Sequence, residues 1–318
     1  MESIADAALI GALAPMPALI DGIAQMFRTG CIVPQRAIIP VPGGEGRLLV
    51  SMPAFEPNGG AVVKLATVFP DNSSFGLPTV QAAIVVFSAH GTPTAILDGT
   101  LVTRLRTGAA SALASRYLSR EDSSHLVIAG TGALAPAMAL AHSVVRPIRE
   151  ITVSGRDISR AKATADAIHT LVPNARLAVT DRLDDVIPAA DIVTCATSCR
   201  SPILTGRLLR PGTFVDLVGS FSPTTREADD DTVARARIFV DTREGALAEA
   251  GDLLDPMRRG VIGPDCIQGT LTDLVRGEKK GRRDAQEITL FKSVGSAVED
   301  LAAARIIVAN ATKVQAST

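Results

Sequence analysis

The chain has 318 residues, 47% hydrophobic and 20% charged, an ordinary globular composition long enough for two domains or one large one. Its 32 basic and 33 acidic side chains leave a net charge of −1, so no bulk field draws it to nucleic acid or an anionic membrane; with no tryptophan and one tyrosine, Tyr117, few rings are left to stack on bases. No apolar run reaches bilayer length, no export signal is recognisable, and Cys31, Cys195, Cys199 and Cys266 follow no disulfide framework, so reduced thiols in a cytoplasmic protein are expected.

Residues 3–28 carry Ile, Leu and Met at helical spacing, broken by Pro15 and Pro17, which predicts two helices and a loop. Four runs bounded by Gly, Pro or Asn then predict antiparallel strands: Ile38-Ile39, Arg47 to Val50, Val62 to Leu65, and Gln81 to Ser88. Arg104 to Leu118 is an alanine-rich helix. From Ser124 the rhythm becomes strand–helix alternation, with strands at Leu126–Ala129, Glu150–Val153, Leu177–Val179, Ile192–Cys195, Phe214–Val218 and Ile238–Val240. Helices at Ala133–Val145 and Ser159–Leu171 separate the first of these. Short apolar strands alternating with helices predict an α/β fold, a Rossmann-type doubly wound parallel sheet covered on both faces. The stretch Arg276 to Asp284 is predicted as an exposed loop, and Phe291 to Asn310 as a final helix.

The segment from His125 to Ala141 places Gly130-Thr131-Gly132-Ala133-Leu134 between a strand and a helix, the setting that makes a glycine pattern a dinucleotide loop. Gly130 permits the tight turn, Gly132 lets the backbone approach a pyrophosphate, and Ala135 holds the third small position. The helix N-terminus then offers N–H groups and a positive dipole end. At the end of the second strand, Ser154-Gly155-Arg156 has glycine where NAD-preferring sites place an acid for the ribose hydroxyls. A guanidinium next to it suits a 2′-phosphate, so NADP(H) is favoured and NAD(H) is possible. Asp157 is read as the cap of the next helix.

Arg36, Lys64 and Arg106 lie beside strand or turn signals in the first part of the chain. Any one of them is an ordinary solvated charge by residue type. Lys64, however, has apolar neighbours on both sides and is costly to bury without an anionic partner. These segments, with LDGTLVTRLRTGAASALASRYL, GTGALA, LVGSFSPTTRE and FKSVGSAVEDLAAA, resemble the ornithine cyclodeaminase/μ-crystallin family from about residue 30 to 310. The resemblance implies an NAD(P)-binding Rossmann domain, 116–290, and a substrate-binding and dimerisation domain, 1–115 completed by 291–318. It further implies a homodimer and a small imino- or amino-acid carboxylate as substrate. Carried over by motif, Arg36, Lys64 and Arg106 hold the substrate carboxylate or sit beside the reacting carbon, and Thr107 approaches cofactor and substrate. Gly130, Thr131, Gly132, Ala133 and Leu134 take the pyrophosphate, and Ser154, Gly155 and Arg156 the adenosine ribose. Cys195, Ala196, Thr197, Val294 and Gly295 flank the nicotinamide half.

Ornithine cyclodeaminases carry an aspartate in the loop after the strand ending Val-Gly, where this chain has Phe221. A phenyl ring neither takes a proton nor positions water. The resemblance therefore implies an imine reductase acting on a cyclic ketimine 2-carboxylate, Δ1-pyrroline- or Δ1-piperideine-2-carboxylate, with Phe221 against the ring. Alanine dehydrogenase-like amination, ornithine cyclodeamination, and a μ-crystallin-like protein that binds NADPH and a small ligand without turnover are the alternatives. No metal is expected, because Cys195 and Cys199 have no second pair or nearby histidine. His90 is read as a turn residue able to reach the substrate pocket, and Asp252 as a loop cap or cleft residue.

Overall fold

The computed structural model describes residues 2–4 and 6–315. In chain order the elements are β1 (Glu2–Ile4), α1 (Ala7–Leu13), α2 (Met16–Thr29), β2 (Ala37–Pro40), β3 (Leu48–Phe55), β4 (Ala61–Val68), β5 (Val80–Phe87), β6 (Pro93–Asp98) and α3 (Gly99–Leu118). There follow β7 (His125–Ala129), α4 (Ala135–Val145), β8 (Glu150–Ser154), α5 (Ile158–Leu171), β9 (Arg176–Thr180), α6 (Leu183–Val186), β10 (Ile192–Cys195), β11 (Phe214–Leu217), α7 (Asp230–Arg235) and β12 (Arg237–Val240). The last are α8 (Arg243–Glu249), α9 (Gly251–Arg258), β13 (Ile267–Thr270), α10 (Leu271–Arg276), β14 (Thr289–Lys292) and α11 (Ala297–Gln315).

Described residues up to Arg106 and from Ser296 onward form one compact unit, and Thr107–Gly295 form the other. The division falls inside α3 and just ahead of α11, not at 115/116 and 290/291. Of the stretch 291–318, residues 316–318 lie outside the described residues.

The first unit is a six-stranded sheet in the order β1-β6-β5-β4-β3-β2, antiparallel except for the β1–β6 pair. Helices α2 and α11 pack on one another, and α11 lies against β3 and β4. The helical face of α2 that carries Leu19, Ile20, Ile23 and Phe27 is buried, as its spacing requires. Because side chains alternate along a strand, Val50 and Met52 of β3 and Val62, Lys64 and Ala66 of β4 share the buried face.

The second unit is an all-parallel eight-stranded sheet, β13-β12-β14-β11-β10-β7-β8-β9. Its order reverses between β7 and β10, so the turns after those two strands flank the crevice where doubly wound sheets bind ligands. Strands β10, β11 and β14 are buried at every position, as strands of a parallel sheet covered on both faces are.

Three expectations need correction. Phe291 and Lys292 do not begin the last helix; they end β14, and α11 starts at Ala297. A four-residue strand buried at every position has no burial alternation to separate it from a buried helix, and Gly295, at φ 81°, lies between it and α11. Strands β1, β6 and β13 also lie outside the predicted strands. The stretch 276–284 is not simply an exposed loop. Gly281 is buried, and Arg282 donates to the carbonyls of Leu118 at 2.7 Å and Thr213 at 3.3 Å.

Candidate functional site

In the first unit, Lys64 stands mid-strand on β4 and Arg106 near the middle of α3, 2% and 5% exposed. Burying two cations is affordable only with counter-charges. These come from Glu299 and Asp300, both fully buried in the first turn of α11. Asp300 Oδ1 accepts from Lys64 Nζ at 3.0 Å and lies 3.1 Å from Arg106 Nε, while its Oδ2 is 2.7 Å from Lys64 Nζ. Arg106 Nη1 donates to Glu299 Oε2 at 2.5 Å. One aspartate thus sets the spacing of two cations, and a glutamate holds the second by its fork.

Burial pushes the Lys64 ammonium down to about 8, helped by repulsion from Arg106 and opposed by Asp300 and Glu299. At Asp300 burial acts to raise the carboxyl, but Lys64 and Arg106 outweigh it and hold it below its ordinary value. Both groups are therefore ionised near neutrality, the lysine by the narrower margin. Arg36, half-buried just ahead of β2, also bears on Asp300.

In the second unit, Gly130 has φ 128°, and an added Cβ would lie 2.7 Å from the carbonyl oxygen of Ala196, so the turns after β7 and β10 touch there. Gly130 N–H donates to Ser154 O at 2.9 Å, which ties the same turn to the end of β8. Gly132 and Ala133 are exposed, nothing lies within 4 Å of where a Gly132 side chain would start, and Leu134 caps α4 without a side-chain hydrogen bond. The first turn of α4 has no acidic residue. An open backbone before an uncapped helix end fits a pyrophosphate.

Gly155 packs on Thr131, whose Cγ2 would lie 2.3 Å from an added Cβ, and Ser154 is buried. Asp157 is committed as the cap of α5, accepting from Ser159 N at 2.9 Å and Arg160 N at 3.2 Å. Arg156 is exposed beside them. Cys195 is fully buried, and Ala196 and Thr197 are partly so. Val294 and Gly295 donate their N–H groups to Asp241 Oδ2 at 2.9 and 2.7 Å, which holds that segment at the end of β14. Thr107 is buried in α3. Phe221, 42% exposed, follows β11, and His90 is exposed in the turn between β5 and β6.

Asp252 does not lie in a loop or line an open surface. It is fully buried in α9, accepts from the N–H groups of Glu227 and Ala228 at 2.7 and 3.0 Å, and pairs with Lys292 at 3.1 Å. Glu299, Asp300, Glu227, Asp241 and Lys292 were not singled out from the sequence. The available signal was the demand for an anion at Lys64, answered by two adjacent acids in an otherwise apolar helix start. Among the described residues no group of three His, Cys, Asp or Glu is placed to hold a metal ion, and no single helix is long and apolar enough to cross a membrane.

A model of the ornithine cyclodeaminase/mu-crystallin family matches residues 5–315. The Delta(1)-pyrroline-2-carboxylate reductase of Paracoccus denitrificans is 39% identical over 286 residues, 89% of this chain and 90% of that protein. Among solved structures, the Delta(1)-pyrroline-2-carboxylate reductase of Thermococcus litoralis in complex with NADH and L-proline matches with a TM-score of 0.94 at 33% identity, over 98% of each chain. An archaeal alanine dehydrogenase dimer with bound NAD matches at 0.91 and 28% identity, over 99% of this chain and 97% of that one.

Proposed function

The chain belongs to the ornithine cyclodeaminase/mu-crystallin family, and on that premise we propose that it is an NAD(P)H-dependent imine reductase whose substrate is a cyclic ketimine 2-carboxylate. Δ1-Pyrroline-2-carboxylate is reduced to L-proline, and the six-membered Δ1-piperideine-2-carboxylate to L-pipecolate. The observation that carries this reading is the buried cluster of Lys64, Arg106, Glu299 and Asp300, on which Arg36 also bears.

Arg36 and Arg106 hold the carboxylate, and fixing it orients the imine carbon; positioning of this kind is worth several kcal/mol of barrier. Gly130–Leu134 would hold the reduced dinucleotide, whose chemistry would be the supply of a hydride. The imine nitrogen must gain a proton, and Lys64 holds one at Nζ with an affinity near neutrality, the range in which general acids work best. Asp300 keeps that proton in place between turnovers. Phe221 lies in the loop after β11, where it suits an apolar ring and offers no base.

NADPH is the preferred donor in this proposal. Asp157 is already committed to its helix, Gly155 offers no acid to a ribose, and the exposed Arg156 suits a 2′-phosphate. The protein acts as a homodimer through the first unit's sheet. Ile39, Phe55 and Leu65 lie on the face opposite Lys64 and Val50, each 40% exposed or more, an apolar surface that a second copy would cover.

The deciding experiment follows NADPH and NADH oxidation with pyrroline-2-carboxylate, piperideine-2-carboxylate, and pyruvate plus ammonia, and ammonia release from ornithine. Turnover of a cyclic ketimine is expected. No ketimine turnover together with ammonia from ornithine would sink the proposal, and faster turnover of pyruvate with ammonia would replace it by an amination reaction.

A further inference from the structure

Glu227 has no part in the proposed reaction, yet it is fully buried and its carboxylate gathers hydrogen bonds from two strand ends. Oε1 accepts from Thr197 N at 2.7 Å and Thr197 Oγ1 at 2.9 Å, just past β10. Oε2 accepts from Gly219 N at 2.8 Å and Ser220 N at 3.2 Å, just past β11. The two turns are pressed together: an added Cβ on Gly219 would lie 2.0 Å from Thr197 O and 2.5 Å from Glu227 Oε1. The turn after β10 in turn touches the glycine loop, through Ala196 O and Gly130. The carboxylate therefore lies behind a row of three turns along the carboxyl ends of β7, β10 and β11, at the reversal of strand order.

Several charged or titratable groups face Glu227. They are Asp252 from α9, Lys292 from β14, and the thiols of Cys195 on β10 and Cys199 beyond it. Glu227 is also held from behind, since its own N–H donates to Asp252 and Asp252 pairs with Lys292.

We propose that Glu227 is a positioning residue for the dinucleotide: as a carboxylate it locks the turns after β10 and β11 into the shape that admits the cofactor, and as the neutral acid it loosens them. The inference rests on the second unit being the cofactor-binding one. All four groups on the carboxylate are donors, and a protonated acid must itself donate to one of them. Only the Thr197 hydroxyl can reverse, by turning its hydrogen towards Cys199 Sγ at 2.9 Å. The three main-chain N–H groups cannot reverse, and their bonds lose roughly half their strength with the charge. Burial pushes the Glu227 carboxyl up to about 7, with Asp252 adding to the push and Lys292 opposing it, so the change falls near neutral pH.

The test uses NADH alone as probe, its fluorescence followed during titration of the full chain at about pH 6 and about pH 8; NADH is chosen because a 2′-phosphate itself titrates at about 6. If only the ionised form is competent, NADH binds the wild type about tenfold more weakly at the lower pH. Glu227→Gln, which cannot ionise, binds weakly at both. A wild-type affinity equal at the two pH values overturns the inference without any variant. So does a folded Glu227→Gln protein that retains the wild-type pH dependence. Failure of both NADH and NADPH to bind at either pH overturns the dinucleotide reading, and this inference with it.

Discussion

Replacing Asp300 by asparagine keeps the side chain's shape and removes the charge that two buried cations share. Lys64 Nζ is 2.7 Å from Asp300 Oδ2, where a unit charge at an effective dielectric of about 20 contributes roughly 6 kcal/mol to holding the ammonium's proton. One pKa unit corresponds to about 1.4 kcal/mol, and Glu299 retains part of the field, so a fall of two units or more is expected. That takes Lys64 from about 8 into the range of about 5–6 known for buried lysines without a counter-ion. The assay is the pH profile of kcat/KM for ketimine reduction. Its alkaline limb, near pH 8 in the wild type, should move below neutrality in Asp300→Asn. Stability carries a second signature. A lysine whose folded value lies below its unfolded one makes stability rise with pH between the two, and the variant's window opens earlier than the wild type's. The variant's deficit, about 3–5 kcal/mol where both ammonium groups are charged, should therefore shrink as the pH rises from about 6 to about 8. A folded Asp300→Asn protein with its alkaline limb unmoved would refute the assignment of Lys64 as the proton holder.

Arg106→Lys keeps a charge but loses the fork that meets Glu299 and Asp300 together, so KM for the ketimine should rise by about tenfold or more; an unchanged KM would remove Arg106 from carboxylate binding. Arg156→Ala should weaken NADPH far more than NADH in a binding titration, and an equal loss for both would end the 2′-phosphate assignment. Leu65→Lys places a charge on the exposed sheet face and should leave a monomer on sedimentation. Glu227 has a folded value of about 7 against an ordinary 4.5, so its contribution to stability is full below 4.5 and is lost as the pH rises through 7. Glu227→Gln should remove up to about 3 kcal/mol of that fall between acid and neutral pH, read as the difference between the two proteins' urea-unfolding profiles.

Much of the fold was legible because its signals are local. The glycine loop between β7 and α4, the Asp157 cap and strands β2 to β5, bounded by Gly, Pro or Asn, each depend on residues a few positions apart. Of the strands outside that reading, β14 is buried at every position, where periodicity carries no information, and β1 and β13 are only three and four residues long. Chemical types at the candidate site were also readable. Lys64 in an apolar strand announced that some anion must meet it.

Which anion meets Lys64 was a different matter. Asp300 is 236 positions away in the chain, and only the folding of α11 onto β3 and β4 brings its carboxylate to a lysine and an arginine together. Nor does any local pattern reveal that Glu227 gathers the turns after two strands, or that Asp252 is fully buried against Lys292. The sequence by itself determined the two kinds of sheet, the glycine loop and the need for charge compensation, since backbone propensity and burial cost act residue by residue. Tertiary structure alone decided the partners, because a buried charge is paired by whatever the packing places within about 3 Å of it.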